Sequence, residues 1–194
     1  MLSKTDAELK LVIAGNHDLD LDRTYWSKYL VLKRTMKDHE KAIEVMTGPA
    51  ARNAGVTYLE EGLHSFELSN GARFNIYASP YQPEFCDWAF PYYRDEDRFN
   101  PSSRPEKEEG GTTKNIAVNP IPNFGAVDII MTHGPPMGML DDARGEYLRC
   151  EHLMRAIRRT RPLLHCFGHI YEGHGMKVVR WKMNEGTSEV GHLE

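Results

Sequence analysis

The chain has 194 residues, the length of one ordinary domain, and a domain of that size hides roughly 70% of its unfolded surface. Lys and Arg number 24 against 28 Asp and Glu, for a formal charge of −4, so no basic field draws in a nucleic acid polymer; Met1 to Lys10 holds no apolar stretch long enough for a signal peptide, and no later run of about 18 apolar residues offers a membrane span. The three cysteines, Cys86, Cys150 and Cys166, are odd in number and widely spaced, supply no C-x-x-C pair for zinc or redox work, and read as reduced thiols in a cytoplasmic protein.

Lys10 to Ala14 is a short apolar run ending in Gly15-Asn16-His17-Asp18, which predicts a buried strand entering a loop. From Arg23 to Met46, residues such as Tyr25, Tyr29, Leu32, Met36, Ile43 and Met46 fall at helical spacing and predict one or two amphipathic helices ended by Gly48-Pro49. Val56 to Leu59 reads as a strand. Leu63 to Leu68 and Arg73 to Ala78 flank Ser69-Asn70-Gly71, and Asn-Gly between two alternating runs predicts a hairpin. Tyr81 to Tyr93 is aromatic and proline-punctuated; Trp88 and Phe90 within it read as core packing in preference to a wall that stacks on a base. Residues 100–118 predict a flexible loop inside the domain.

Val127 to Met131 is a third apolar run, and it ends in Thr132-His133-Gly134-Pro135-Pro136. Glu146 to Thr160 predicts a helix with Tyr147, Cys150, Leu153, Met154 and Ile157 on one face, and Arg155, Arg158, Arg159 and Arg161 are expected to complement the negative end of its dipole. Leu163 to Phe167 leads into Gly168-His169-Ile170-Tyr171. Met176 to Trp181 reads as the last strand, so that residues 1–182 make one domain and 183–194 a polar tail.

Three buried-strand candidates thus each end in a small residue and a histidine: Gly15-Asn16-His17, Thr132-His133-Gly134 and Gly168-His169. Loops at the carboxyl ends of strands in an α/β sheet converge on one crevice. Amide oxygen and imidazole suit a borderline divalent ion such as manganese, iron or zinc, so the pattern predicts a metal-assisted hydrolase site. His39, His64, His152 and His192 fall outside this pattern, and His165 lies inside an apolar run and is expected to be buried. Asp18, Asp20 and Asp22 open like a calcium loop, but Arg23 and Tyr29 occupy its required glycine and final glutamate positions.

Taken together, Gly15-Asn16-His17-Asp18, Thr132-His133-Gly134-Pro135-Pro136 and Phe167-Gly168-His169-Ile170-Tyr171-Glu172-Gly173-His174-Gly175 resemble the calcineurin-like metallophosphoesterases in order and spacing. The stretch from Lys10 to Arg180 is similar to the subgroup of metallophosphoesterase-domain-containing proteins of animals and their fungal relatives. The resemblance implies an α/β four-layer sandwich, with two mixed sheets face to face and helices outside, and a two-metal centre that hydrolyses phosphoric esters, phosphodiesters or cyclic nucleotides among them. By that resemblance Asn16, His133 and His169 would bind one metal, His17 would protonate the leaving oxygen, and Asp18 would orient His17. The partner implied is a small phosphoester or nucleotide.

Departures from the family pattern change the expectation. The family's opening Asp-x-His and its Gly-Asp have no counterpart before Gly15, so the chain reads as an N-terminally truncated domain that starts at an internal methionine. The family's second histidine in Gly-His-x-His is Tyr171 here, and His174 stands three residues later as a possible substitute ligand. One ion at most is expected, held by neutral donors, with weak or absent hydrolysis. The alternative is a pseudoenzyme that binds a nucleotide or phosphate without turnover. An empty central sheet position should also leave unpaired backbone and exposed apolar surface.

Overall fold

The computed structural model describes residues 2–28, 36–102, 113–143, 145–147, 150–181 and 190–192. Strand β1 (Lys10–Val12) follows a short 3-10 turn and precedes the loop 13–18. Helix α1 (Arg23–Lys28) opens where the Asp22 carboxylate accepts the Thr24 N–H at 2.8 Å, the Thr24 hydroxyl at 2.7 Å and the Tyr25 N–H at 3.3 Å. The third of the spaced aspartates is therefore a helix cap. Helix α2 (Met36–Thr47) stops at Gly48, but Pro49 does not end the helical region as expected. It begins α3 (Pro49–Asn53), because the first helical position needs no N–H and suits the fixed φ of proline. Residues 29–35, which the helical reading included, lie outside the described residues.

Strand β2 (Val56–Tyr58) pairs in parallel with β1, and the two form a sheet of their own. The hairpin is present as β3 (Gly62–Glu67) and β4 (Arg73–Ser79), antiparallel with Glu67 opposite Arg73. Its turn needs Gly71, whose φ of 83° is a left-handed value that glycine adopts freely. Strand β5 (Ile129–Thr132) lies parallel to β4, and β6 (Leu164–Phe167) lies parallel to β5, giving a second sheet in the order β6-β5-β4-β3. The fold class is mixed α/β, and among the described residues no helix is long and apolar enough to cross a membrane.

Helix α4 (Glu151–Thr160) is shorter than the sequence predicts. Glu146 and Tyr147 instead pair antiparallel with Asp142 and Ala143, and the helix is capped by Cys150, whose sulfur accepts the Leu153 N–H at 3.3 Å. Cysteine is not a usual cap, so the start was not legible. The arginine cluster also does other work than the sequence suggests. Arg155 binds the buried Asp97 carboxylate, while Arg159 donates to the carbonyls of Ile121 and Pro122 at 2.9 and 3.2 Å. Both tie the helix to loops.

The flexible loop expected at 100–118 is anchored at both described ends. Asn100 is buried, and Lys114 and Asn115 pair with Glu96 and Asp97; residues 103–112 lie outside the described residues. Likewise Val190–His192, within the expected polar tail, form strand β8 against β7 (Val179–Trp181).

Three apolar clusters organise the interior. Leu59, Ile76 and Ala78 meet Leu11, Ile13, Phe66, Phe74, Ile129 and Met131, which joins the two sheets. On the other side of β4 and β5, Tyr77 and Ile130 pack with Phe99, Ile121 and the α4 residues Leu153, Ala156 and Ile157. A smaller cluster sets Ala14 against Tyr25, Ala89 and Phe90, so Phe90 is core as expected.

Register exposes a gradient across the face between the sheets. Ile76 on β4 is 1% exposed, its partner Ile129 on β5 is half-buried, and the next in the row, Leu164 on β6, is 51% exposed. Among the described residues the sheet formed by β1 and β2 covers β4 and leaves β6 open, and Leu163, Met176 and Val178 are exposed as well. Apolar surface beside an edge strand invites association. Leu164→Lys should therefore raise the monomeric fraction in size-exclusion chromatography while changing stability by less than about 0.5 kcal/mol.

Candidate metal and phosphoester site

The three histidine-bearing loops meet at a cavity of about 560 Å³ lined by Gly15, Asn16, His17, Asp18, His133 and His169 among others. Each is positioned by its own local device. Asp18 accepts the Gly15 N–H at 2.7 Å, and the Asp18 N–H donates to the Gly15 carbonyl at 3.0 Å, so the loop after β1 closes on itself. Asp18 thus shapes the loop through Gly15.

His133 follows β5 with its N–H donating to the Ser79 carbonyl on β4 at 3.0 Å. Below it runs a short relay: Thr132 Oγ1 donates to the Gly134 carbonyl at 2.7 Å, which leaves Thr132 Oγ1 itself to accept from His165 Nε2 at 2.8 Å. The relay fixes the backbone on both sides of His133 and assigns the His165 proton to Nε2. His169 sits at φ 73°, and the Ile170 N–H donates across it to the Gly168 carbonyl at 2.9 Å. A three-residue turn at positive φ is rare outside glycine and is retained where surroundings over-determine it. Here it sets the His169 ring against His133, with centroids 4.7 Å apart.

His133 Nε2 lies 2.9 Å from Asn16 Oδ1, the geometry of an N–H donated to an amide oxygen. Burial first, and then neighbouring His169 and His17, lower the His133 pKa to about 4; burial and His17 lower that of His169. Both rings are therefore neutral near pH 7, the form in which imidazole binds a metal. Two donor atoms 2.9 Å apart also match adjacent ligands at about 2.1 Å from one ion. The Nε2 proton would have to move to Nδ1 for that.

Gly15 makes the approach possible. A Cβ there would stand 2.5 Å from His133 Cε1. Gly15→Ala should displace the ring and weaken any divalent-ion binding at least about ten-fold, as loss of a ligand-orienting contact does, measured by calorimetric titration.

His17 is exposed and packs at a tilt against Trp88, centroids 4.3 Å apart and planes at 49°. His174 is exposed, contacts the Tyr171 carbonyl at 3.2 Å through Nδ1, and is not one of the residues that line the cavity. Sequence reasoning missed Phe85, Tyr171 and Glu172 as lining residues, and it read Trp88 as core. The aromatic richness of 81–93 was the available signal. The unassigned histidines are engaged elsewhere: His39 with the Asp20 carbonyl, His64 with that of Glu60, and His152 beside Asp97. His192 lies on β8.

Does this site fit the ions that the motif implies? Among the described residues no group of three or more His, Cys, Asp or Glu side chains is placed to hold one ion without other donors. Asn16 with two imidazoles is a neutral set that fits one borderline ion and not a carboxylate-bridged pair.

No family-wide profile matches the chain. Individual relatives do. It is 32% identical to metallophosphoesterase domain-containing protein 1 of Homo sapiens over 193 residues, 93% of this chain and 48% of that protein. It is 30% identical to a UPF0046 protein of Caenorhabditis elegans over 189 residues, 90% of this chain and 41% of that one. It is also 33% identical over 182 residues to a protein of Emericella nidulans named "Probable rhamnogalacturonate lyase C", covering 93% of this chain and 14% of that protein. The chain belongs to the metallophosphoesterases, in the subgroup of the metallophosphoesterase domain-containing proteins. It spans about half the length of those relatives.

The buried imidazoles carry a pH consequence. The His165 pKa is lowered by burial to about 3, and that of His133 to about 4, while an unfolded imidazole titrates near 6.5. Below pH 6.5 the unfolded chain takes up protons that the folded chain does not, so stability falls as pH falls from about 6.5 toward 4. The melting temperature should decline over this range in scanning fluorimetry, and His165→Leu should flatten the decline. An unchanged slope in that variant would contradict it.

Proposed function

We propose that this chain binds a small phosphoric ester at a single divalent ion held by Asn16, His133 and His169, and that it hydrolyses esters of the phosphodiester or cyclic nucleotide type slowly. The observation that carries this reading is the 2.9 Å pairing of Asn16 Oδ1 with His133 Nε2, with His169 alongside, at the mouth of one cavity. The cluster joining the two sheets, with α4 against one and α2 and α3 beside β2, supports the four-layer sandwich.

Manganese, iron or zinc bound there would supply Lewis-acid polarisation of a phosphoryl oxygen. The protein's own residues do the rest. His17, exposed at the cavity and restrained by Trp88, donates a proton to the leaving oxygen. Asp18 holds the Gly15 turn so that Asn16 and His17 point into the same space. The donors carry no negative charge, and Tyr171 replaces a family ligand, so affinity for the ion is low. That neutrality favours a second reading, a phosphate- or nucleotide-binding pseudoenzyme.

The test is a manganese titration of the folded chain followed by turnover of bis(4-nitrophenyl) phosphate. Manganese-dependent turnover supports the first reading. Saturable binding of inorganic phosphate with no turnover selects the second, and absence of both overturns the two together.

A further inference from the structure

The aromatic side chains around the cavity have no part in holding an ion, and they are not core. Phe85 is 57% exposed and Tyr171 is 87% exposed, yet both line the cavity with Trp88 and the imidazoles. Large apolar rings left in water at the rim of a polar cavity are surface that a ligand covers. The segment that carries two of them is strained and fastened. Cys86 and Asp87 stand at φ 54° and 55°, consecutive left-handed residues that are not glycine, a disfavoured conformation that persists only where its surroundings hold it.

The fastening runs to the site itself. The Ala89 N–H donates to the Asn16 carbonyl at 3.1 Å, the Phe90 N–H to the Asp22 carboxylate at 2.7 Å, and the Gln82 side chain to the Ala89 carbonyl at 2.7 Å. The loop bearing Phe85 and Trp88 is thereby joined to the loop bearing Asn16 and His17. Tyr171 arrives two residues after His169, beyond the tight turn at Gly168–Ile170. Rings and ligand donors are thus placed as one unit, which a merely solvated surface would not need.

We propose that Phe85, Trp88 and Tyr171 form an aromatic rim that selects phosphoric esters bearing a planar aromatic group, stacking the ring while the phosphate meets the imidazoles. This rests on the phosphoester reading above and adds the part of the ligand that the phosphate does not specify. A nucleobase and a simple aryl ring share this chemistry.

Calorimetric titration of the full chain in manganese with methyl phosphate, phenyl phosphate and adenosine 5′-monophosphate separates the possibilities. Both aromatic esters should bind at least about ten-fold tighter than methyl phosphate. A further gain for the adenosine ester identifies a base as the source, and equal affinity identifies any aryl ring. In Phe85→Ala and Tyr171→Ala, both exposed and so tolerant of change, the preference should drop below about three-fold, whereas Phe85→Tyr should retain it. The adenosine ester should also quench indole fluorescence, and Trp88→Phe should remove that quenching. Equal affinity for all three esters in the native chain, or a preference untouched by the alanine variants, overturns the rim and leaves the phosphoester reading standing. Binding of none overturns both.

Discussion

Arg98→Ala is expected to destabilise the fold by about 3–5 kcal/mol, a fall in melting temperature on the order of 10 °C for a chain of this size. The Arg98 guanidinium donates from Nε and Nη2 to the two oxygens of Glu61, both at 2.8 Å, and each side chain is only 10% exposed. Ser79 adds a hydroxyl donor to Glu61 at 3.0 Å, and the guanidinium lies 3.3 Å above the Tyr81 ring. Removing the arginine strands a carboxylate that has lost most of its water and its bidentate partner. The loss therefore exceeds the net worth of the pair. Arg98→Met with Glu61→Leu, which removes both charges, should cost less than Arg98→Ala alone. Thermal melts of the three proteins check this, and a double variant as unstable as the single one would show that packing, not the stranded charge, sets the cost.

On the single-ion reading, His133→Ala should abolish any stabilisation by manganese and lower any manganese-dependent hydrolysis at least about 100-fold. It removes the donor atom facing Asn16 Oδ1 and the ring against which His169 is set. The fold should survive, since His133 is half-buried and its side chain belongs to none of the three apolar clusters. His64→Ala, at a histidine outside the cavity whose ring meets the Glu60 carbonyl, is the control for general loss of imidazole. A manganese-induced shift in melting temperature that persists in His133→Ala would remove the assignment of this site.

The contrast between these residues measures what the chain announces. His133 was legible because a strand-forming run followed by a small residue and a histidine is a local pattern, and it occurs three times. Arg98 and Glu61 were not, since neither sits in a motif and their pairing joins residues 37 apart in sequence. The same holds for α4. Its apolar face was readable from period alone, but Cys150 as its cap depends on where the chain leaves the pairing of Asp142 and Ala143 with Glu146 and Tyr147. Trp88 looked like core because aromatic residues mostly are; only the fastened, left-handed turn at Cys86 and Asp87 lifts it to the cavity beside His17.

The sequence by itself determined the positions of β1 to β7, the hairpin at Asn70-Gly71 and the family, because those depend on periodicity, turn chemistry and ordered motifs that act over a few residues. Tertiary structure alone decided that Asn16 and His133, 117 residues apart, meet at 2.9 Å, that Asp18 serves Gly15, and that His174 stays outside the cavity. It also decided which face of β6 stays uncovered. Those outcomes depend on how far one sheet reaches across another and on the angle at which each loop leaves its strand, and neither quantity is written in any local run of residues.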